Sequence, residues 1–293
     1  MTVPAVVASV PAGTSFAPLL RVTRPWQWVK NVLVFLAPAA GGVLLDSSLW
    51  SRLLLVFAAF CLVSSAVYVE NDVVDAPLDR LDPRKAARPV ASGLLSARSA
   101  RLFAVGLLLL GVGLGFLAER SVAALLVVYA ANSTLYSRVV KRVPYVEMVS
   151  VAFGFALRLL AGAFASGVLP EVSLVTMTVT LSAAVLLVKR SSELREGVSR
   201  RFVLTRYRPP LLRTLLVVSG MASVLAAAAF GFSTGNPFVG VFGVVGLLGV
   251  VSRLIAASSS GRGAEPDRLL FRDPLLFASL ALWSLALLLP SLW

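Results

Sequence analysis

The chain has 293 residues, 58% of them hydrophobic and only 14% charged, whereas a soluble domain carries about a quarter charged residues, so the composition argues against a soluble enzyme. Lys and Arg outnumber Asp and Glu by 27 to 14, a net charge of +13, which in a polar chain would suggest nucleic acid and in this apolar one is first tested as a membrane-topology signal. With no His and one Cys, His-based acid–base chemistry, zinc sites and intramolecular disulfides are excluded, and any metal must be held by oxygen ligands.

Residues 1–20 are apolar but lack the basic start of a secretory signal, and they read as a tail or interfacial segment. A bilayer core needs about 20 mostly apolar residues per helix. Nine such runs follow in order, at 27–45, 51–70, 97–118, 121–137, 145–164, 172–190, 211–232, 237–257 and 273–291. Of the 27 basic residues, 24 fall in the N-terminal segment and in every second connection, leaving Arg52 and Arg120 opposite and Arg158 inside a span. Because Lys and Arg near span ends are retained in the cytoplasm, the sequence predicts an all-α polytopic membrane protein with nine transmembrane helices and a cytoplasmic N-terminus. Residues 21–293 then form a single transmembrane catalytic domain. Charge spread in this way is no nucleic-acid face, so no nucleic-acid partner is expected. The long connections all lie on the cytoplasmic side of the cell membrane, which is where chemistry is expected. Apolar faces turned to lipid or to a second copy read alike, so a homo-oligomer is compatible with the sequence.

The second span ends in a concentration of acids, Glu70, Asp72, Asp75, Asp79 and Asp82. Asn71/Asp75 and Asp75/Asp79 are spaced i, i+4 and Asp72/Asp75 i, i+3, so these side chains share one helix face. Crowded carboxylates without His or Cys suit Mg²⁺ bridging to a substrate phosphate; the competing reading is a solvated helix end balanced by nearby Arg and Lys, and the cost of acids at a membrane boundary favours the metal. Pro77 lies within the motif, where it is expected to kink or end the helix and to carry Asp79 off the common face. Next comes Arg84-Lys85-Ala86-Ala87-Arg88-Pro89, equally readable as phosphate-binding cations or as ordinary cytoplasmic retention. Lys189, Arg190 and Glu193 at the end of the sixth span are either a second phosphate patch or an exposed ion pair. Arg158 lies about 20 Å along its helix and is expected to snorkel to the far interface, and Cys61 is expected to be apolar filling.

The Asn71, Asp72, Asp75, Asp79 run at the end of the second span resembles the UbiA superfamily of membrane prenyltransferases. Within it the chain is most similar to the family of decaprenyl-phosphate phosphoribosyltransferases, also called DPPR synthases. The similarity rests on Arg24-Pro25-Trp26-Gln27-Trp28-Val29-Lys30-Asn31 leading into the first span and on Lys189-Arg190-x-x-Glu193-Leu194. Tyr68, Lys85, Arg88, Pro89 and Gly93 around the acidic motif fit as well, as do Tyr136, Lys141, Glu147, Arg158, Gly162, Glu265-Pro266 and Arg272-Asp273 further on. Many superfamily members carry a second D-x-x-x-D where this chain has Glu193 and Glu196, a departure that agrees with a donor other than a prenyl diphosphate.

The resemblance implies a UbiA-like helical bundle and an enzyme that moves 5-phosphoribosyl from 5-phosphoribosyl diphosphate to a polyprenyl (decaprenyl) phosphate with loss of diphosphate. The product would be a lipid-linked pentose precursor of cell-wall arabinan. The alternative within the superfamily is transfer of a prenyl group from its diphosphate to a small acceptor. On the first reading Asp72, Asp75 and Asp79 are catalytic and, with Asn71, hold Mg²⁺ on the diphosphate, while Lys85, Arg88, Lys189 and Arg190 hold phosphates. Lys30, Asn31, Tyr68, Tyr136, Lys141, Glu147 and Glu193 follow as substrate-binding candidates. An acceptor phosphate is already an ionised nucleophile near neutral pH, so this chemistry needs no His base.

Overall fold

The computed structural model describes residues 17–196 and 202–292. Residues 1–16, most of the predicted tail, and the Glu196 side chain lie outside the described residues. The described chain is helical, without strands. A short helix α1 (Ala17–Thr23) leads to a 3-10 segment (Pro25–Phe35) and α2 (Leu36–Ala40). Long helices follow: α3 (Ser47–Asp79), α4 (Ala97–Ala118), α5 (Arg120–Arg138), α6 (Val146–Ser166), α7 (Val172–Glu196), α8 (Pro209–Ser233) and α9 (Pro237–Ser260). The short α10 (Pro266–Arg272) and α11 (Pro274–Leu288) complete the chain.

Helix starts follow local chemistry. Asp46, Ser96, Asn236 and Asp273 each accept a first-turn backbone N–H at 2.9–3.1 Å, satisfying a donor that the helix leaves open. Proline opens α8, α9, α10 and α11, where its missing N–H costs nothing.

Among the described residues eight helices are long and apolar enough to cross a membrane; the first of the nine expected spans takes a different form. Proline at position 38 has no N–H to offer the Val34 carbonyl, and a helix continuing unbroken from Pro25 would set its ring against that carbonyl. The chain instead runs as 3-10 helix to Phe35 and restarts at Leu36, which puts Pro38 in a first turn. At about 2.0 Å per residue in the 3-10 part and 1.5 Å in the α part, the lead-in is still about 30 Å long, the thickness of a hydrocarbon core. Ala17–Thr23 is helical, and its Val22 is buried with Ala66, Val69 and Val73 of α3.

Helices α3 and α6 are the most enclosed. One core joins the lead-in, α3, α5 and α6, and a larger one joins α6 through α11. Gly162 sets the distance between α6 and the lead-in, since a Cβ there would lie 1.7 Å from the Val34 carbonyl oxygen. At 33 residues, α3 is about 50 Å long and outreaches the hydrocarbon, so its acidic end lies beyond the apolar layer while Asp72 and Asp79 stay packed against α1 and the 80–95 connection. It runs through Pro77 to Asp79 without the expected break.

Candidate active site

At about 100° per residue, Asp79 sits only about 20° around α3 from Asp72, while Asp75 is about 60° away from Asp72. The side chains divide accordingly. Arg88 Nη1 donates to Asp79 Oδ2 at 2.6 Å and to Asp72 Oδ1 at 3.3 Å, so Asp79 keeps a common face with Asp72 despite Pro77. Arg24 also donates to Asp72; its backbone is left-handed at φ 53°, and its guanidinium lies 5.4 Å from the centre of the Tyr68 ring. Asp75 is paired instead with Lys141, Nζ to Oδ1 at 2.5 Å. Lys85 Nζ stands 4.0 Å from Asp79 and 3.4 Å from Asp82. The backbone N–H of Arg84 on the Asp82 carboxylate, aided by Lys85, holds that acid below the usual carboxylate range.

Among the described residues no three carboxylates gather closely enough to hold an ion by themselves, because these acids have each turned to a cation. The chemistry nevertheless fits Mg²⁺. Asn71 Oδ1 is buried and receives no hydrogen bond, an arrangement that costs about 1–3 kcal/mol unless something binds it. Mg²⁺ takes one or two carboxylates, keeps waters and bridges to substrate phosphate, a demand to which the oxygen donors of Asn71, Asp72 and Asp79 in this one motif are suited by type.

A second network lies deeper. Glu147, fully buried at the start of α6, accepts from Arg190 Nε at 2.5 Å and Nη2 at 2.8 Å, and from the Tyr207 hydroxyl at 2.6 Å. Tyr136 OH is 3.5 Å away, and Arg190 also pairs with Glu193. Arg190 is 1% exposed: the ion pair with Glu193 that the sequence suggested is present but buried, and Glu147 takes two further donors of the same guanidinium. A carboxylate that takes two of its donors offsets the cost of burying this guanidinium, and Glu147 supplies it. Glu147 thus ties the start of α6 to Arg190 of α7 and to Tyr207. Burial and the neighbouring carboxylate push the Tyr207 phenol well above its ordinary value. Its ring meets Tyr145 edge-on at 4.9 Å between centroids.

Arg158 does not snorkel. It is buried, with Nε donating to Asn31 Oδ1 at 2.8 Å, Nη1 to the Gly154 carbonyl at 2.8 Å and Nη2 to the Tyr129 hydroxyl at 3.0 Å. The rings of Tyr129, Phe60 and Phe155 surround it at 4.6, 5.6 and 5.7 Å, so acceptors and aromatic faces inside the bundle replace the interface. Asn31 is fully buried by the same contacts and by donating to Cys61 Sγ and Ser64 Oγ at 3.3 and 3.4 Å; it holds the lead-in to α6. Cys61 is otherwise the apolar filling expected. Lys30 bonds Gln27 at 2.5 Å, and Lys189 lines a basic cleft with Lys85 and Glu193.

Sequence reasoning gave no role to Arg24, Tyr129 or Tyr207. Arg24 opens the entry segment and Tyr207 stands between Arg206 and Arg208, but neither signal points to the partner that each side chain takes.

The description "UbiA prenyltransferase family" matches residues 32–280. The chain is 32% identical to the decaprenyl-phosphate phosphoribosyltransferase of Corynebacterium glutamicum over 90% of its own length and 84% of the relative's. It is 30% identical to the enzyme of the same name from Mycobacterium tuberculosis, over 92% and 93%. Among solved structures, a digeranylgeranylglyceryl phosphate synthase superposes with a TM-score of 0.71 at 18% identity, over 94% of this chain and 98% of that one. A UbiA homologue from Archaeoglobus fulgidus bound to DMAPP and Mg²⁺ gives 0.66 at 15% identity, over 92% and 98%. Sequence and fold agree: this chain belongs to the UbiA prenyltransferase family of membrane enzymes.

Proposed function

We propose that the chain transfers 5-phosphoribosyl from 5-phosphoribosyl diphosphate to a polyprenyl phosphate, with Mg²⁺ and with release of diphosphate, residues 21–293 acting as one catalytic unit in the membrane. The observation that carries the reading is the end of α3, where the orphaned Asn71 Oδ1 lies in the same motif as Asp72 and Asp79, which share the Arg88 guanidinium. Similarity across nearly the whole length of relatives named decaprenyl-phosphate phosphoribosyltransferase supports this donor and acceptor. The concentration of basic residues at this end supports a cytoplasmic site in the cell membrane. Glu193, where a second acidic motif would begin, is taken up by Arg190, which favours a ribosyl over a prenyl donor.

Mg²⁺, when bound, neutralises charge on the departing diphosphate. Asn71, Asp72 and Asp79 would hold it. Arg88 and Lys85 stand beside those carboxylates, placed to take the diphosphate oxygens as they gain charge. The acceptor phosphate needs no proton removed, so what remains for the protein is alignment: its oxygen must approach C1 from the face opposite the leaving group. The C1–diphosphate bond breaks as the new C1–O bond forms, through an oxocarbenium-like state, giving an inverted phosphodiester. Arg24 and Tyr68 bound this side of the cluster and help fix the donor.

Asp72→Ala tests the reading. It is expected to abolish turnover while the protein elutes as a single folded species in detergent; turnover within a few-fold of wild type would sink the metal assignment.

A further inference from the structure

Beside the acidic cluster a cleft of about 950 Å³ opens between the 84–85 turn, the end of α7 and the connection from α9 to α11, a size that suits a small-molecule ligand. Lys85, Lys189, Arg195, Arg262, Arg268 and Arg272 line it. Its acids are already spent on other partners. Glu193 pairs with Arg190 and Asp273 with Arg253, both from outside the cleft, and Glu265 pairs with Arg268. Arg195, Arg262 and Arg272 are left without a carboxylate partner among the described residues, Arg262 bonding only Ser260 Oγ at 3.0 Å.

The far wall is built and fixed. Gly263 donates its N–H to the buried Ser192 Oγ at 3.1 Å, and a Cβ at that position would lie 2.2 Å from Val188 Cγ1, so the turn carrying Arg262 sits directly on α7. After Arg272, Asp273 caps α11 and takes two donors from Arg253 at 2.9 and 2.7 Å. Arginine forks on a fixed backbone are what phosphate recognition needs. Among the described residues the cleft offers cations and no unpaired carboxylate, the reverse of a metal site, a lining that suits an anion bound directly.

We propose that this cleft is a metal-free subsite for a phosphate monoester, with Arg262 and Arg272 as ligands and Lys85 joining it to the Asp79 side of the acidic cluster. The proposal deepens the phosphoribosyl-transfer reading and rests on it only for the source of the phosphate. The 5-phosphate of the ribosyl donor and the headgroup of the lipid acceptor present the same dianion.

The experiment measures equilibrium binding of three probes to the full chain in detergent: ribose 5-phosphate, a short-chain prenyl monophosphate below its micelle concentration, and inorganic diphosphate with Mg²⁺. Arg262→Gln and Arg272→Gln, both exposed side chains, are compared with wild type, folding being checked by melting. Loss of one charged hydrogen-bond donor is expected to weaken one monoester about tenfold or more, with Mg²⁺–diphosphate binding unchanged. Weakened ribose 5-phosphate assigns the cleft to the donor, and a weakened prenyl monophosphate assigns it to the acceptor. Monoester binding equal to wild type in both variants overturns the proposal, as does diphosphate binding that falls in step, since that is a general field and not a site. If the monoester responds as expected but no phosphoribosyl is transferred by wild type, the cleft stands and the reaction assignment falls.

Discussion

Replacing Glu147 by Leu removes a carboxylate that holds three donors, two from Arg190 at 2.5 and 2.8 Å and one from Tyr207 at 2.6 Å. Glu147 and Arg190 are 0% and 1% exposed, so water cannot compensate, and breaking a buried pair by deleting one partner costs about 3–5 kcal/mol. Glu193 still holds Arg190 Nη1, which places the expected loss near the lower end, about 3 kcal/mol. Replacing both Glu147 and Arg190 by Leu removes the stranded charge as well, leaving the Tyr207 hydroxyl as the main orphan, at about 1–3 kcal/mol. The double variant is therefore expected to be no less stable than Glu147→Leu alone, and Tyr207→Phe added to it recovers part of the remainder. Unfolding in mixed micelles followed by tryptophan fluorescence measures the series. If Glu147→Leu costs under about 1 kcal/mol, or if the double variant loses the sum of the two single losses, the network is not the coupled buried unit described here.

Three further outcomes follow. Gly162→Ala puts a methyl 1.7 Å from the Val34 carbonyl oxygen and is expected to cost upwards of about 1–3 kcal/mol by forcing the lead-in off α6. Gly106→Ala, where a Cβ meets nothing within 4 Å, is expected to leave stability unchanged or raise it by up to about 1 kcal/mol in the same unfolding assay. Because the folded state raises the Tyr207 phenol, the unfolded chain loses that proton first, near pH 10. The stability it contributes is complete below that pH and declines as pH rises toward the folded value. Melting curves between pH 8 and pH 11 should show a smaller alkaline loss in Tyr207→Phe than in wild type; an identical decline would contradict the buried Tyr207–Glu147 bond.

The bundle was legible because its signals are local. Apolar runs separated by short polar connections gave the expected 97–118 span as α4 (Ala97–Ala118) and most other spans within a few residues. The acidic motif was legible for the same reason, since i, i+3 and i, i+4 spacing is a helix-face statement. What escaped was set by contacts between helices. Arg158 meets Asn31 across 127 positions, Glu147 meets Arg190 across 43, and spacing along one helix carries no trace of either. Local reasoning sent Arg158 to the far interface because it looked unpaired, and for Arg190 it saw Glu193 on the same helix but not Glu147 on α6. The same limit split the motif face: Lys141, 66 positions from Asp75, draws that acid aside, while Arg88 keeps Asp72 and Asp79 together.

The central claim is tested most directly by incubating the purified chain in detergent with Mg²⁺, 5-phosphoribosyl diphosphate and a polyprenyl phosphate, omitting each in turn, and measuring diphosphate together with the lipid product by mass spectrometry. The account predicts one diphosphate released per lipid-linked phosphoribose formed, and neither when any component is missing. Turnover that instead requires a prenyl diphosphate and ignores the ribosyl donor would contradict it.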